Sequence, residues 1–369
     1  MKVGILTFHN AHNYGAVLQC FALQHYLEEI GYDVEIIDYR PDFYSEQYKS
    51  HSILSCCGKN PVSVIKCLYY NYYLYNKRCK SFNNFINKHL KLSNCVSENN
   101  IPRDYHAYIV GSDQIWNPSI TNGFRGVYFC DFPFKKGSSR YIAYAPSMEL
   151  TKPSSEEINF LRDNLARMDF LSVREASLIP LIESLTNKRV DIVCDPTFLL
   201  NSLQWSAFIG PKLMNKPYVV LYQVRDNPSA FELARKIAAQ IKGTVVCLTA
   251  RIDKNYPVDF QTASPMDFIN YIANADFVVT TSFHATAFSL IFNVSFYTML
   301  LGDNFDDRCS SLLKMVGLED RLVTPGRNVL IETVNFNLCN EKLSNLVINS
   351  KEYLNKSLKN ESIYHSTML

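Results

Sequence analysis

Short β-branched runs alternate with helical runs along most of this chain, and that alternation confines it to a parallel α/β architecture. Lys2–Thr7 reads as a buried strand, Ala16–Ile30 as a helix ending at Gly31, and Asp33–Asp38 as the next strand. This opening leaves the loop His9–Gly15 at a strand's carboxyl end, where open α/β sheets take their ligands. Ala107–Gly111, Tyr141–Ala145, Phe170–Val173 and Val190–Cys194 continue the series. A second series follows the polar connection Asp195–Lys216. Its strands are Tyr218–Val224, Thr244–Leu248, Phe277–Thr281 and Phe296–Leu300. Its helices are Ala230–Ile241, Pro265–Ala273, one from His284, and Asp307–Val316. The expected fold class is α/β, with two Rossmann-like domains facing across a cleft. The domains are expected at residues 1–200 and 201–330, and a helical tail at 331–369 packs back across the junction.

A chain of 369 residues, 47% hydrophobic, has the material for two such cores. Its net charge of +2, from 37 basic and 35 acidic residues, gives no global field for nucleic acid. The 11 cysteines include no CxxC pair, and adjacent Cys56 and Cys57 suit zinc poorly. His9 and His12 lack an evident third ligand, so neither metal nor cofactor is expected. MKVGILTFHN does not read as a signal peptide, and no apolar run is long enough to span a bilayer. A cytoplasmic protein with free thiols is the expectation.

An insertion at about 45–100 interrupts the first series. Within it, Val62–Phe85 mixes tyrosines with Lys66, Lys77, Arg78 and Lys80. A basic, aromatic helix of this kind fits peripheral contact with a membrane surface. The reading it fits better is an excursion helix packed on its own domain.

Three places carry residues suited to chemistry. In DFVVTTSFHATAF the strand ends at Thr280, Thr281 and Ser282, and His284 begins a helix. Unpaired helix N–H groups there attract an anion, with a proton-transfer group beside them. In HNAHNYGAVLQ, Asn13 and Tyr14 offer donors and a stacking face, and Gly15 allows close backbone approach. Asn13 also suits an N-cap. In GSDQIWNP, Ser112, Gln114 and Trp116 suit sugar hydroxyls, and Asp113 suits a base. Trp116 suits a core anchor as well. Arg174 and Arg308 stand at a strand end and a helix start, positions fit for carboxylate or phosphate. Asp195 reads first as structural, setting the domain connection.

Taken in order, NYGAVLQ, GSDQIWNP, YIAYAPSM, SVRE, DPTFLL and SFHATAFSLIF resemble the polysaccharide pyruvyl transferase family, over about Lys2 to Arg321. The resemblance implies a GT-B-like fold, with an acceptor side in the first domain and a donor side in the second. It implies transfer of the pyruvyl group of phosphoenolpyruvate to two sugar hydroxyls as a cyclic ketal. The partners implied are phosphoenolpyruvate and a glycan acceptor, polysaccharide or lipid-linked. His284 matches the family's histidine, Arg174 the SVR arginine, and Arg308 the later one. Asp113 is then the expected base, and Asn13, Tyr14, Gly15, Ser112, Gln114 and Trp116 the acceptor wall. The family often carries arginine two residues before the histidine and glycine after it. Here these are Ser282 and Ala285, with Thr281, Ser282, Arg308 or Arg251 expected to cover the lost charge. The alternative reading is a GT-B glycosyltransferase using a nucleotide sugar.

Overall fold

The computed structural model describes residues 1–41, 61–149, 153–302, 306–327 and 331–359. The part of the insertion at 45–60 therefore lies outside the described residues. The first sheet has six strands: β1 (Lys2–Leu6), β2 (Asp33–Ile36), β3 (Ala107–Val110), β4 (Arg140–Ala143), β5 (Phe170–Val173) and β6 (Val190–Ile192). All pair in parallel in the order β2-β1-β3-β4-β5-β6. The second has five: β7 (Tyr218–Gln223), β8 (Thr244–Thr249), β9 (Phe277–Thr280), β10 (Phe296–Met299) and β11 (Leu322–Val323). These too are parallel, in the order β11-β10-β9-β7-β8.

Each order reverses direction once. The chain leaves β1 for β2 on one side and later places β3 on the other; β7, β8 and β9 repeat the pattern. Such a switch point splays the flanking connections apart and opens a crevice beyond the carboxyl ends of the central strands. One crevice is floored by the ends of β1 and β3, the other by those of β7 and β9.

A shared core built largely by helices joins the two domains. Helix Tyr14–Glu29 sends Tyr14 into the second domain, where its ring stacks on Phe268 at 4.5 Å and its hydroxyl donates to the Ala263 carbonyl at 3.0 Å. Phe21, Trp205 and Phe288 extend the contact as edge-on or tilted pairs. Each such pair adds about 0.5–1.5 kcal/mol beyond simple burial. The final helix, Asn337–Leu358, runs back onto the first domain, with the Tyr353 hydroxyl on the Ala143 carbonyl and Ser350 accepting from the Cys194 N–H, both at 2.8 Å.

The insertion corrects the expectation that it packs on its own domain. Its helical run is unbroken from Pro61 to His89, with a π-helical stretch over Tyr69–Leu74. The second half reaches both domains. Arg78 donates to the carbonyls of Gln261 at 2.8 Å and Ala250 at 3.0 Å in the second, and to the Tyr14 hydroxyl at 3.1 Å in the first. A buried guanidinium is stable only when its donors are satisfied, and these carbonyls do that. Eight cysteines among the described residues are free, but Cys67 is disulfide-bonded, so free thiols do not hold throughout.

Candidate functional site

The two crevices face each other and enclose a cleft of about 300 Å³. Asn13, Asp113 and Gln114 line it from the first domain. Thr281, Ser282, His284 and Arg308 line it from the second, with Arg225 beside them. Residues more than 250 positions apart in sequence thus share one cavity, because both sets stand at strand ends.

On the first-domain side, Asn13 caps its helix by accepting from the Gly15 N–H at 2.9 Å. Gly15 is required by its neighbour: a Cβ there would lie 1.9 Å from Nδ1 of His284. The two domains touch at that point. Asp113 follows β3 with φ of 68°, a left-handed conformation that aspartate tolerates better than most residues. The turn is fixed by Gly111, where a Cβ would meet the Tyr144 carbonyl oxygen at 2.0 Å, and by the Ser147 N–H on the Asp113 carbonyl at 2.8 Å.

On the second-domain side, Ser282 is the N-cap of helix Phe283–Ile291, its hydroxyl accepting from the Ala285 N–H at 3.5 Å. The helix start leaves first-turn N–H groups without intrahelical partners, directed at the cleft end of β9. Thr281 links this corner to β7, accepting from the Val224 N–H at 3.1 Å and donating to the Arg225 carbonyl at 3.2 Å. Arg308 stands in the first turn of helix Asp307–Val316. That helix is tied to the first domain by Ser177 on Asp307 at 2.7 Å. Burial, and then the adjacent Arg174 guanidinium, depress the Arg308 pKa.

Beneath the cleft lies a charged cluster. Arg174 donates to Asp195 at 2.8 Å and to Glu175 at 3.1 Å, and its plane covers the Phe283 ring at 4.2 Å. Burial works against its charge, but Glu175, Asp195 and Asp113 outweigh it and raise the Arg174 pKa. Its Nη2 has no hydrogen-bond partner among the described residues and sits 4.0 Å from Asp113. Asp195 also accepts from the Thr197 N–H and hydroxyl, at 3.0 and 2.8 Å. Burial would raise its pKa, yet His284 and Arg174 hold it well below the ordinary carboxylate range. Nε2 of His284 is 3.6 Å from Asp195, within ion-pair reach but longer than a hydrogen bond.

Several expected residues stand elsewhere than on the cleft wall. Tyr14 is committed to the interdomain stack. Ser112 is fully buried, donating to the Ala145 carbonyl at 2.8 Å and reaching Asp195 at 3.3 Å. Trp116 is fully buried against Phe129, its indole N–H on the Tyr128 carbonyl at 2.9 Å. Arg251 is exposed and outside the cleft lining. Two residues were missed. Arg225 follows β7 at the same switch point as His284, and its signal was its place after the apolar run YVVLYQ. Asp195, read as a domain connector, also abuts His284, a pairing no local motif discloses. Among the described residues no group of three or more His, Cys, Asp or Glu side chains could hold a metal ion.

Two facing parallel sheets with a polar cleft between their switch points define a two-domain, GT-B-like α/β protein. Residues 13–301 match the model of the polysaccharide pyruvyl transferase family, and the chain belongs to that family; it is a transferase. No curated protein matches it in sequence. Among solved structures it is similar to UDP-GlcNAc 2-epimerase from Methanocaldococcus jannaschii, at 12% identity over 94% of this chain and 92% of that one, with a TM-score of 0.42. It is also similar to Arabidopsis thaliana UGT89C1 complexed with UDP, at 12% identity over 99% and 97%, with a TM-score of 0.43.

Proposed function

We propose that the cleft binds phosphoenolpyruvate and transfers its pyruvyl group to two hydroxyls of a glycan as a cyclic ketal. The observation that carries this reading is the meeting of His284, Arg308 and Arg225 opposite Asp113, in a chain of the pyruvyl transferase family. Phosphoenolpyruvate brings a carboxylate and a phosphate close together, so its site needs roughly two cations and helix-terminus N–H groups. Arg308, Arg225 and the start of helix Phe283–Ile291 supply these. Arg225 takes over the charge that Ser282 lacks, and Arg174, held by two carboxylates, stiffens the floor and offers Nη2 toward Asp113.

His284 is the acid that protonates the methylene carbon of the donor, making C2 electrophilic. The first sugar hydroxyl attacks C2 and gives its proton to Asp113. Cleavage of the C2–O bond releases phosphate, and the second hydroxyl closes the ketal as its proton leaves with phosphate. Asp195, 3.6 Å from Nε2 of His284, helps orient the ring. Asn13 and Gln114 form the acceptor wall. The acceptor is a polysaccharide repeat or its lipid-linked precursor, and the reaction belongs to the cytoplasmic face of a membrane.

Incubation with phosphoenolpyruvate and candidate saccharides, followed by mass spectrometry, should show a pyruvyl addition and phosphate release that requires acceptor. Release in the absence of any acceptor, or no addition to any glycan, would count against it. The serine at position 282 favours one second reading, a glycosyltransferase with a nucleotide-sugar donor. A ligand at a hundred times its dissociation constant stabilises by about 2.7 kcal/mol, so a melting comparison of the two donors separates the readings.

A further inference from the structure

The helix Pro61–His89 divides into two halves of opposite character. From Arg78 onward it is built into the protein: Arg78, Phe82, Phe85 and Ile86 are buried, and Arg78 reaches carbonyls of both domains. Before Leu74, six of its apolar or aromatic side chains face water. Val62, Ile65, Leu68, Tyr69, Tyr72 and Tyr73 are between 41% and 66% exposed. Val62, Ile65 and Tyr69 recur at three and four residues, and Tyr73 stacks on Tyr69 at 5.5 Å, so the four form one stripe along the helix. A contiguous apolar stripe of this length in water marks a contact surface.

Charge identifies the contact. Lys66, Lys77 and Lys80 are exposed along the same helix, and no aspartate or glutamate occurs anywhere from Pro61 to Ser97. A rim of one sign only is complementary to a surface that is negative throughout. Tyrosines bordering apolar residues suit the headgroup level of a bilayer, where ring and hydroxyl are both satisfied. No described helix is long and apolar enough to cross a membrane, which leaves contact along the surface plane.

We propose that the stripe from Val62 to Tyr73 docks this protein on an anionic lipid bilayer, with Lys66, Lys77 and Lys80 facing the headgroups. The buried half of the same helix carries this contact to the junction of the two domains, so a docked molecule holds its cleft at a fixed height and orientation. The proposal rests on the exposed stripe and its charge, and it stands or falls separately from the identity of the donor.

The test is sedimentation of the full chain with vesicles of phosphatidylcholine alone or mixed with phosphatidylglycerol. Binding should require phosphatidylglycerol and weaken as salt rises. Replacing Lys66, Lys77 and Lys80 together by glutamine should lower the partition coefficient on the order of 100-fold, at about fivefold per lysine. Ile65→Asp with Tyr73→Asp should abolish binding and leave the melting temperature unchanged, since neither side chain is buried. Equal binding to both vesicle types, or binding unaffected by these variants, would overturn the proposal. So would concentration-dependent self-association that the aspartates abolish while lipid has no effect, which would assign the stripe to a second copy of the chain.

Discussion

The corners after β3 and β9 look alike in sequence and behave differently in the fold. Both end a buried strand and begin a polar loop: GSDQIWNP in the first domain, TTSFH in the second. After β3 most polar groups turn inward. Ser112 binds the Ala145 carbonyl, Trp116 the Tyr128 carbonyl, and Asn117 caps the short helix that follows, leaving Asp113 and Gln114 on the cleft. After β9 a helix begins at once, and Thr281, Ser282 and His284 all line the cleft. A helix start points its N–H groups and first side chains outward along the strand axis, whereas a turn must satisfy its own backbone first. Polar density in a sequence therefore overstates a site built on a turn.

Four sets of variants test this contrast. The largest effect belongs to the second corner: His284→Ala should lower acceptor-dependent phosphate release by about 10²–10⁴-fold at an unchanged melting temperature. Gly15→Ala should imitate it without removing any polar group, because the new methyl must displace the histidine ring. Retained activity in both would remove His284 from the chemistry.

Next comes the cluster joining the corners. Asp195→Asn should cost roughly 3–5 kcal/mol, since Arg174 loses a buried partner. The folded pKa of Asp195 lies below its unfolded value, so its stabilisation is complete above the ordinary carboxylate pKa of about 3.9 and fades as pH falls beneath it. Acid melts of the wild type should be steeper below that pH than those of the variant; parallel curves would show that the pairing contributes little.

Third, Arg308→Gln and Arg225→Gln should each raise the phosphoenolpyruvate KM by about 10–100-fold, the loss of one charge-assisted hydrogen bond. An unchanged KM in the Arg225 variant would leave the serine at 282 uncompensated. The smallest kinetic effect is expected at the first corner. Trp116→Phe should lower stability by about 1–3 kcal/mol and change the acceptor KM by less than about twofold. A large KM change there would break the contrast, placing the tryptophan back on the acceptor wall.

Most of the secondary structure was legible because its signals are local. Phe170–Val173, Pro265–Ala273 and Asp307–Val316 run as their periodicity indicates. The two-residue strand β11 gives no such signal, since its pairing with β10 comes from a distant segment. Asn13, Asp113, Gln114, Thr281, Ser282 and His284 were legible as polar groups at strand ends, and Arg308 as a cation at a helix start. What could not be read was direction: nothing in NYGAV says that Tyr14 enters the other domain while Asn13 stays on the cleft.

By itself the sequence determined the two α/β series, the strand ends that carry polar side chains, and the family to which the chain belongs. Those follow from hydrophobic period and from ordered motifs, which act over a few residues at a time. Tertiary packing alone set both switch points on one cleft, brought Arg225 to it and placed Asp195 beside His284. It also decided that one helix is half clamp and half exposed stripe. These depend on which strand neighbours which and on what a side chain meets after packing, and both are settled by contacts between segments distant in the chain.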